Sequence, residues 1–337
     1  MEGMKTVTAI PWNSRLALCA GFLALSSACG GEPSAATAPA PAPVVDGLKT
    51  DYWDAGKTHK KMEGMVKGGK PVGDWTWWYE DGKAQRATHY ENGVLDGPFL
   101  EWYANGGKKI EGTHVGGKLN GPATEWYENG QKKNESTYLD GKATGPAKEW
   151  HENGKLYTEG EMAAGQKVGS WTTYHPTGEK AIAGDWKEGK MEGPYVSWHP
   201  NGQKSSEGEY KSGLQVGVWK SWFAGGELEK VATFADGKLD GVCSHWYENG
   251  ELQEKAVFSK GVPDGPWEKR FPSGKQTSIG TYQAGKREGP WFYYKEDGTP
   301  DDAQSGVYVA DQRTGPLPAD AAKPAMPEGI VERENKK

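Results

Sequence analysis

The chain holds little of what builds an ordinary globular core. Only 35% of its 337 residues are hydrophobic, and there are three cysteines. A thick core of leucine, isoleucine and valine is therefore out of reach, and burial must come from flat rings on a thin sheet. Cys19 and Cys29 lie in an N-terminal leader, which leaves Cys243 as the only thiol of the body. One thiol forms neither an internal disulfide nor a zinc site. Helical periodicity is missing from the body, and no nucleophile, base and acid stand in a recognisable constellation. A formal net charge of −6 argues against a nucleic-acid partner. What the chain has in quantity is glycine, 49 residues, and tryptophan, 16 residues.

The first residues read as a targeting segment. Lys5 and Arg15 precede the apolar run Leu16 to Leu25, which is too short for a bilayer crossing of about 20 residues but suits a signal peptide. Leu25-Ser26-Ser27-Ala28-Cys29-Gly30 resembles the lipobox of bacterial lipoproteins, with Ser26 where leucine is usual. That resemblance implies cleavage after Ala28 and fatty-acyl (palmitate-type) modification of Cys29, which would place the protein outside the cytoplasm, on the outer membrane if the cell has one. The expected organisation is a signal peptide over 1–28, a lipidated cysteine with an Ala/Pro-rich tether over 29–50, a repeat body over 51–312 and a disordered tail over 313–337.

The body is governed by a 24-residue period. Gly73, Gly97, Gly121, Gly145, Gly169, Gly193, Gly217, Gly241, Gly265 and Gly289 recur without a slip. Counting each anchor as position 0, glycine returns at positions 9 and 20. Position 2 is usually aromatic, as in Trp75, Trp171, Trp219, Trp267 and Trp291. Position 5 is too, in Trp78, Trp102, Trp126, Trp150, Trp198, Trp222 and Trp246. Position 17 carries a third ring, and position 15 is small, as in Gly160 and Gly208.

Asn-Gly at positions 8 and 9 (Asn105-Gly106, Asn201-Gly202) predicts a two-residue hairpin turn, because both residues tolerate positive φ. Pairs about that turn sum to 17, so position 2 faces 15 and the anchor faces 17. A second turn at positions 20 and 21 makes pairs sum to 41, so position 17 faces the following anchor and 15 the following ring. Each ring then rests on small residues of both neighbouring strands. The fold class is all-β: an elongated, open, single-layer antiparallel sheet of about ten to eleven stacked 24-residue hairpins.

Gly193-Pro194-Tyr195 through Asn201-Gly202-Gln203-Lys204 to Glu207-Gly208-Glu209-Tyr210 resembles the MORN-repeat variant family, whose bacterial members include YwqK-like antitoxins. The resemblance implies stacked hairpins used for protein or lipid contact, with no shared chemistry. Gly289-Pro290-Trp291-Phe292-Tyr293-Tyr294 is similar, less closely, to aromatic cell-wall-binding repeats. Three functions follow as expectations: an envelope lipoprotein scaffold for a protein partner, a glycan-binding module, or an antitoxin-like immunity protein. None calls for catalysis, a cofactor or a metal. His151, His175 and His199, one per repeat at position 6, lie about 9.6 Å apart on a hairpin ladder and are too distant to share a zinc ion. Ala123 and Ala147 leave a notch in the position-2 ring row.

Overall fold

The computed structural model describes residues 46–328, and every named element among them is a β-strand. The chain divides into two compact units, one running to Ala147 together with Met162–Gln166, the other comprising Lys148–Glu161 and Lys167 onward. Each unit is an open antiparallel sheet of consecutive hairpins. In the first, Lys60–Lys67, Lys70–Trp78, Ala84–Glu91, Val94–Trp102 and Lys108–Val115 pair in chain order. In the second, Lys190–Trp198, Lys204–Lys211, Leu214–Trp222 and Leu228–Ala235 do the same. The first strand, Gly47–Tyr52, pairs from Gly47↔Val66 onward, so the body begins inside the span read as tether. At the other end Gln312–Gly315, which pairs with Gly306–Val309, runs from the end of the repeat span into the span read as tail. The signal peptide and Cys29 lie outside the described residues.

Both turns differ in form from the expected ones, although the pairing about the first is as expected, Gly169 facing Trp186 and Trp171 facing Gly184. At the Asn-Gly turn the Tyr103 N–H donates to Gly107 O at 2.8 Å and Gly106 N–H to Tyr103 O at 2.9 Å. That is a three-residue loop closed by a bulge, and only its glycine has positive φ (Gly106, 89°). Asparagine is used for its amide instead. Asn105 Oδ1 accepts from Gly107 N, and its Nδ2 donates to Glu128 O of the next repeat, both at 2.8 Å. Asn153, Asn201 and Asn249 repeat the reach to the next loop. The mirror-image two-residue turn sits at positions 19 and 20, where Asp140 and Gly141 have φ of 50° and 79° and Ser212 and Gly213 of 52° and 84°.

This moves the second register. Trp186 pairs with Met191, not with anchor Gly193, and two extra residues of the later strand are absorbed before Gly184 meets Tyr195. Position 15 thus faces the following ring as predicted, whereas position 17 faces position 22. The anchor glycine occupies the resulting bulge. Its positive φ, 88° at Gly193 and 68° at Gly217, is what a side chain would resist there. A Cβ on Gly73 or Gly217 would meet nothing within 4 Å, so contact with a ring does not explain these glycines.

Ring contact does explain position 15. Trp75, Trp171, Trp219 and Trp291 lie flat on Gly64, Gly160, Gly208 and Gly280 of the preceding strand, where a Cβ would fall inside the indole. Each indole N–H also donates to the carbonyl of the residue after that glycine: Met65, Glu161, Glu209 and Thr281, at 3.0–3.2 Å. Those four tryptophans are buried. Trp267 faces Ala256 instead and is half-buried. The rings also meet one another, which the small-residue code does not require: Tyr195, Tyr210 and Trp219 have centroids 5.0–5.4 Å apart, with Tyr210 edge-on to both neighbours. The core is therefore a chain of edge-to-face rings seated on glycine backbone.

Gly208→Ala should displace the Trp219 indole and cost about 1–3 kcal/mol, the range for overpacking a filled site. Urea unfolding followed by tryptophan fluorescence measures it. The reverse change, Ala256→Gly, should let Trp267 sink and become less accessible to acrylamide quenching. Unaltered quenching in both variants would contradict the glycine-seat account.

Candidate functional site: the tryptophan, lysine and glutamate row

Position 5 follows a second bulge. In the Gly73 hairpin Trp77 pairs with Arg86 but Trp78 pairs with Ala84: strand alternation sets position 5 on the face opposite the position-2 rings, and the skipped partner residue brings position 11 round to that face. Every position-5 tryptophan from Trp78 to Trp246 is half-buried. On the same face lie a lysine from position 11 of the preceding hairpin and a glutamate from its position 14. Lys60 lies 5.8 Å from the Trp78 ring centroid and 2.7 Å from Glu63. Lys108 stands likewise toward Trp126 (5.4 Å) and Glu111 (2.7 Å). In the second unit Lys204 repeats the arrangement with Trp222 (5.3 Å) and Glu207 (2.6 Å), and Lys132 bonds Glu135 in the first. These lysines and glutamates are 26–50% exposed, so each bridge is individually weak in water. The complete trio stands at Trp78 and Trp126 in the first unit and at Trp222 in the second, each a water-accessible cluster of ring, cation and carboxylate. Positions 11 and 14 are instead Ala84 and Ala87 in the Gly73 hairpin and Leu228 and Val231 in the Gly217 hairpin.

Position 6 fastens the hairpins beneath this row. Tyr79 and Tyr103 donate their hydroxyls to Trp102 O (2.8 Å) and Trp126 O (2.7 Å). His151, His175 and His199 place Nε2 at 2.8–3.0 Å from Tyr174 O, Trp198 O and Trp222 O. Since a carbonyl only accepts, Nε2 carries the proton. The three histidines do the work that tyrosine does elsewhere. Ala123 and Ala147 do not line an open notch: they are 6% and 1% exposed, and Tyr138 and Met162 nearby are buried as well.

Other groups were hidden from the sequence because positions 4, 13 and 22 lack a recurring residue type. Lys167 lies 4.0 Å from the Trp171 centroid and 5.1 Å from that of Trp186, and burial lowers the pKa of its ammonium. Lys230, His245, Glu254 and Lys269 face one another across four strands. Burial holds the Glu254 carboxyl up and the His245 imidazole down. Cys243, between Ala232 and Ala256, has its thiol pushed up by burial, which disfavours the reactive thiolate.

Five segments match the MORN repeat variant family: 71–93, 119–140, 143–163, 191–212 and 239–260. Each match begins two residues before an anchor glycine and spans one hairpin, so the family unit and the structural repeat are in phase. No curated protein matches the chain. Two solved structures, of TcdB2-TccC3-Cdc42 and of TcdB2-TccC3, align at 14% and 13% identity over 73% and 66% of this chain, with a TM-score of 0.17. This chain spans 14% of the length of those chains, and a likeness at that score bears on neither fold nor role.

His114 supplies a pH test. It is 3% exposed, packs its ring 4.6 Å from Phe99, and its Nδ1 has no hydrogen-bond partner. Burial, reinforced by Arg86, pulls its pKa down. The unfolded chain protonates this histidine near pH 6.5 while the fold keeps it neutral, so stability is lost as pH falls through that value. Hydrogen exchange, corrected for intrinsic rate, should quicken in Val94–Trp102 and Lys108–Val115 between pH 7.5 and 5.5. His114→Phe should remove that acceleration, and an unchanged pH response would refute the assignment.

Proposed function

We propose that this chain is a non-catalytic scaffold, held on the cell envelope by an acyl anchor at Cys29, whose tryptophan–lysine–glutamate row grips a protein partner. The carrying observation is that the same trio of side chains stands on a half-exposed face at Trp78 and Trp126 in the first unit and at Trp222 in the second. Aromatic rings are enriched in protein interfaces and supply most of their hot spots. The alternating charges beside them suit the polar rim of such a contact. The MORN-variant repeats agree with a binding scaffold, and the lipobox-like residues with their Ala/Pro-rich tether agree with display beyond a membrane.

A non-catalytic role is supported by the engagement of the acid–base groups. The position-6 histidines are bonded to main-chain carbonyls. The buried Glu268 carboxylate is held by Arg270 and Gln276, and an open sheet offers little space from which water is excluded.

Two variants separate the anchor from the grip. Cys29→Ala should move the protein from the membrane fraction to the soluble fraction and leave its crosslinked complex intact. Trp198→Ala combined with Lys204→Glu and Trp222→Ala should leave it at the membrane but remove most of the complex, since a central interface tryptophan is worth about 2 kcal/mol or more. Crosslinking in intact cells that recovers only the monomer, or a complex indifferent to the row variant, would overturn the protein-partner reading. Unchanged fractionation of Cys29→Ala would overturn the anchor.

A further inference from the structure

We propose that the first unit carries a binding site for an acidic sugar, in a shallow pocket lined by Trp77, Tyr79, Arg86, Glu101, Trp102 and Lys109. The register assembles it. Trp77 faces Arg86, and Arg86 faces Glu101 on the next strand. Lys109 is the residue skipped by the bulge between Glu101 and Trp102. Trp77, Arg86 and Glu101 therefore share one face of the sheet, and the bulge sets Lys109 beside Glu101. The Arg86 guanidinium lies 5.4 Å from the Trp77 centroid, and the Tyr79 hydroxyl, bonded to Trp102 O at 2.8 Å, fixes the tyrosine ring.

The charges here are arranged but not closed. Glu101 stands 3.7 Å from Arg86 Nε and 3.6 Å from Lys109 Nζ, beyond hydrogen-bond distance from either. One repeat later, at the same positions, Lys133 and Glu125 form a direct bond. Arg86 Nε is buried with no acceptor in reach, and such a donor is rarely left unmade. A ligand oxygen entering the pocket would supply the acceptor. Two cations against one carboxylate favour an anion, and a planar carboxylate suits the guanidinium fork and the neighbouring ammonium. The aromatic walls suit the C–H face of a pyranose, while Glu101 is placed to accept from ring hydroxyls. Glu101 also disfavours a bare anion. A sugar acid satisfies all of these groups at once. The assignment stands whether or not the tryptophan–lysine–glutamate row holds a protein.

The test uses the full chain with four probes: trigalacturonate, uncharged cellotriose, inorganic phosphate and a tripeptide with a free C-terminal carboxylate. Saturation-transfer NMR and tryptophan fluorescence titration report binding. Trigalacturonate should bind saturably, at least about tenfold more tightly than the other three. Lys109→Gln and Arg86→Gln should each weaken it about tenfold or more, the scale of a lost charge-assisted hydrogen bond. Lys133→Gln should leave it unchanged. Lys109 is 45% exposed, so its variant keeps the fold and tests the site even if Arg86→Gln does not. Absence of binding, equal binding of cellotriose or phosphate, preference for the tripeptide, or indifference to Lys109→Gln would each overturn the assignment.

Discussion

An indole lying on a bare glycine, with its N–H turned into the carbonyl beside that glycine, organises the rest of this fold. A main-chain acceptor under a ring would be shielded from water, and the indole N–H supplies it with a donor. Trp219 covers Gly208 and satisfies Glu209 O in one placement. The same side chain supplies the apolar cover, the missing donor and the edge against which Tyr210 packs. Glycine and tryptophan are one device, which is why they recur together.

Fastening at the two rims is separate from this. On one side the position-6 ring and the position-8 amide reach the next loop. On the other, the glycine of the two-residue turn donates back to the preceding repeat, as Gly117 N does to Leu95 O and Gly213 N to Met191 O at 2.8 Å. An acidic residue just before the anchor can cap that turn, as Asp96 does for Gly116 N at 3.0 Å. Each hairpin is thus tied to its neighbours by main-chain acceptors that any sequence provides, which leaves the side chains at positions 4, 12 and 13 free to vary. The pocket at Arg86 and Glu101 and the row from Lys230 to Lys269 occupy those variable positions.

Much of this was legible in the sequence. The period, the all-β class and the facing of position 15 against the following ring came from glycine and aromatic spacing, and the structure keeps them. The Asn-Gly turn differs from its expected form because Asn-Gly points to positive dihedral angles, whereas Asn105 acts through its amide. The true positive-φ turns place residues as different as Asp140, Ala164 and Ser212 at position 19, so only the glycine at position 20 marks them. The period points to ring contact at the anchor glycines, because a bulge leaves no trace in a spacing that stays at 24. The variable sites were out of reach for a related reason. Arg86, Glu101 and Lys109 are far apart in the chain and ordinary in type, and only the two bulges bring them to one place.

The ties made by the position-6 rings and the position-8 amides have one length in the chain. Tyr79 to Trp102, His199 to Trp222 and Asn249 to Pro272 each span 23 residues. Loss of a single residue inside a repeat would throw every donor across it out of phase with its acceptor, whereas loss or duplication of a whole cassette would leave all of them aligned. A gene encoding such a chain can therefore grow or shrink by unequal recombination in one quantum, while smaller length changes are confined to its termini. At the last hairpin Trp291 pairs with Gly306, two residues beyond position 15, an excess that lies where that constraint has run out.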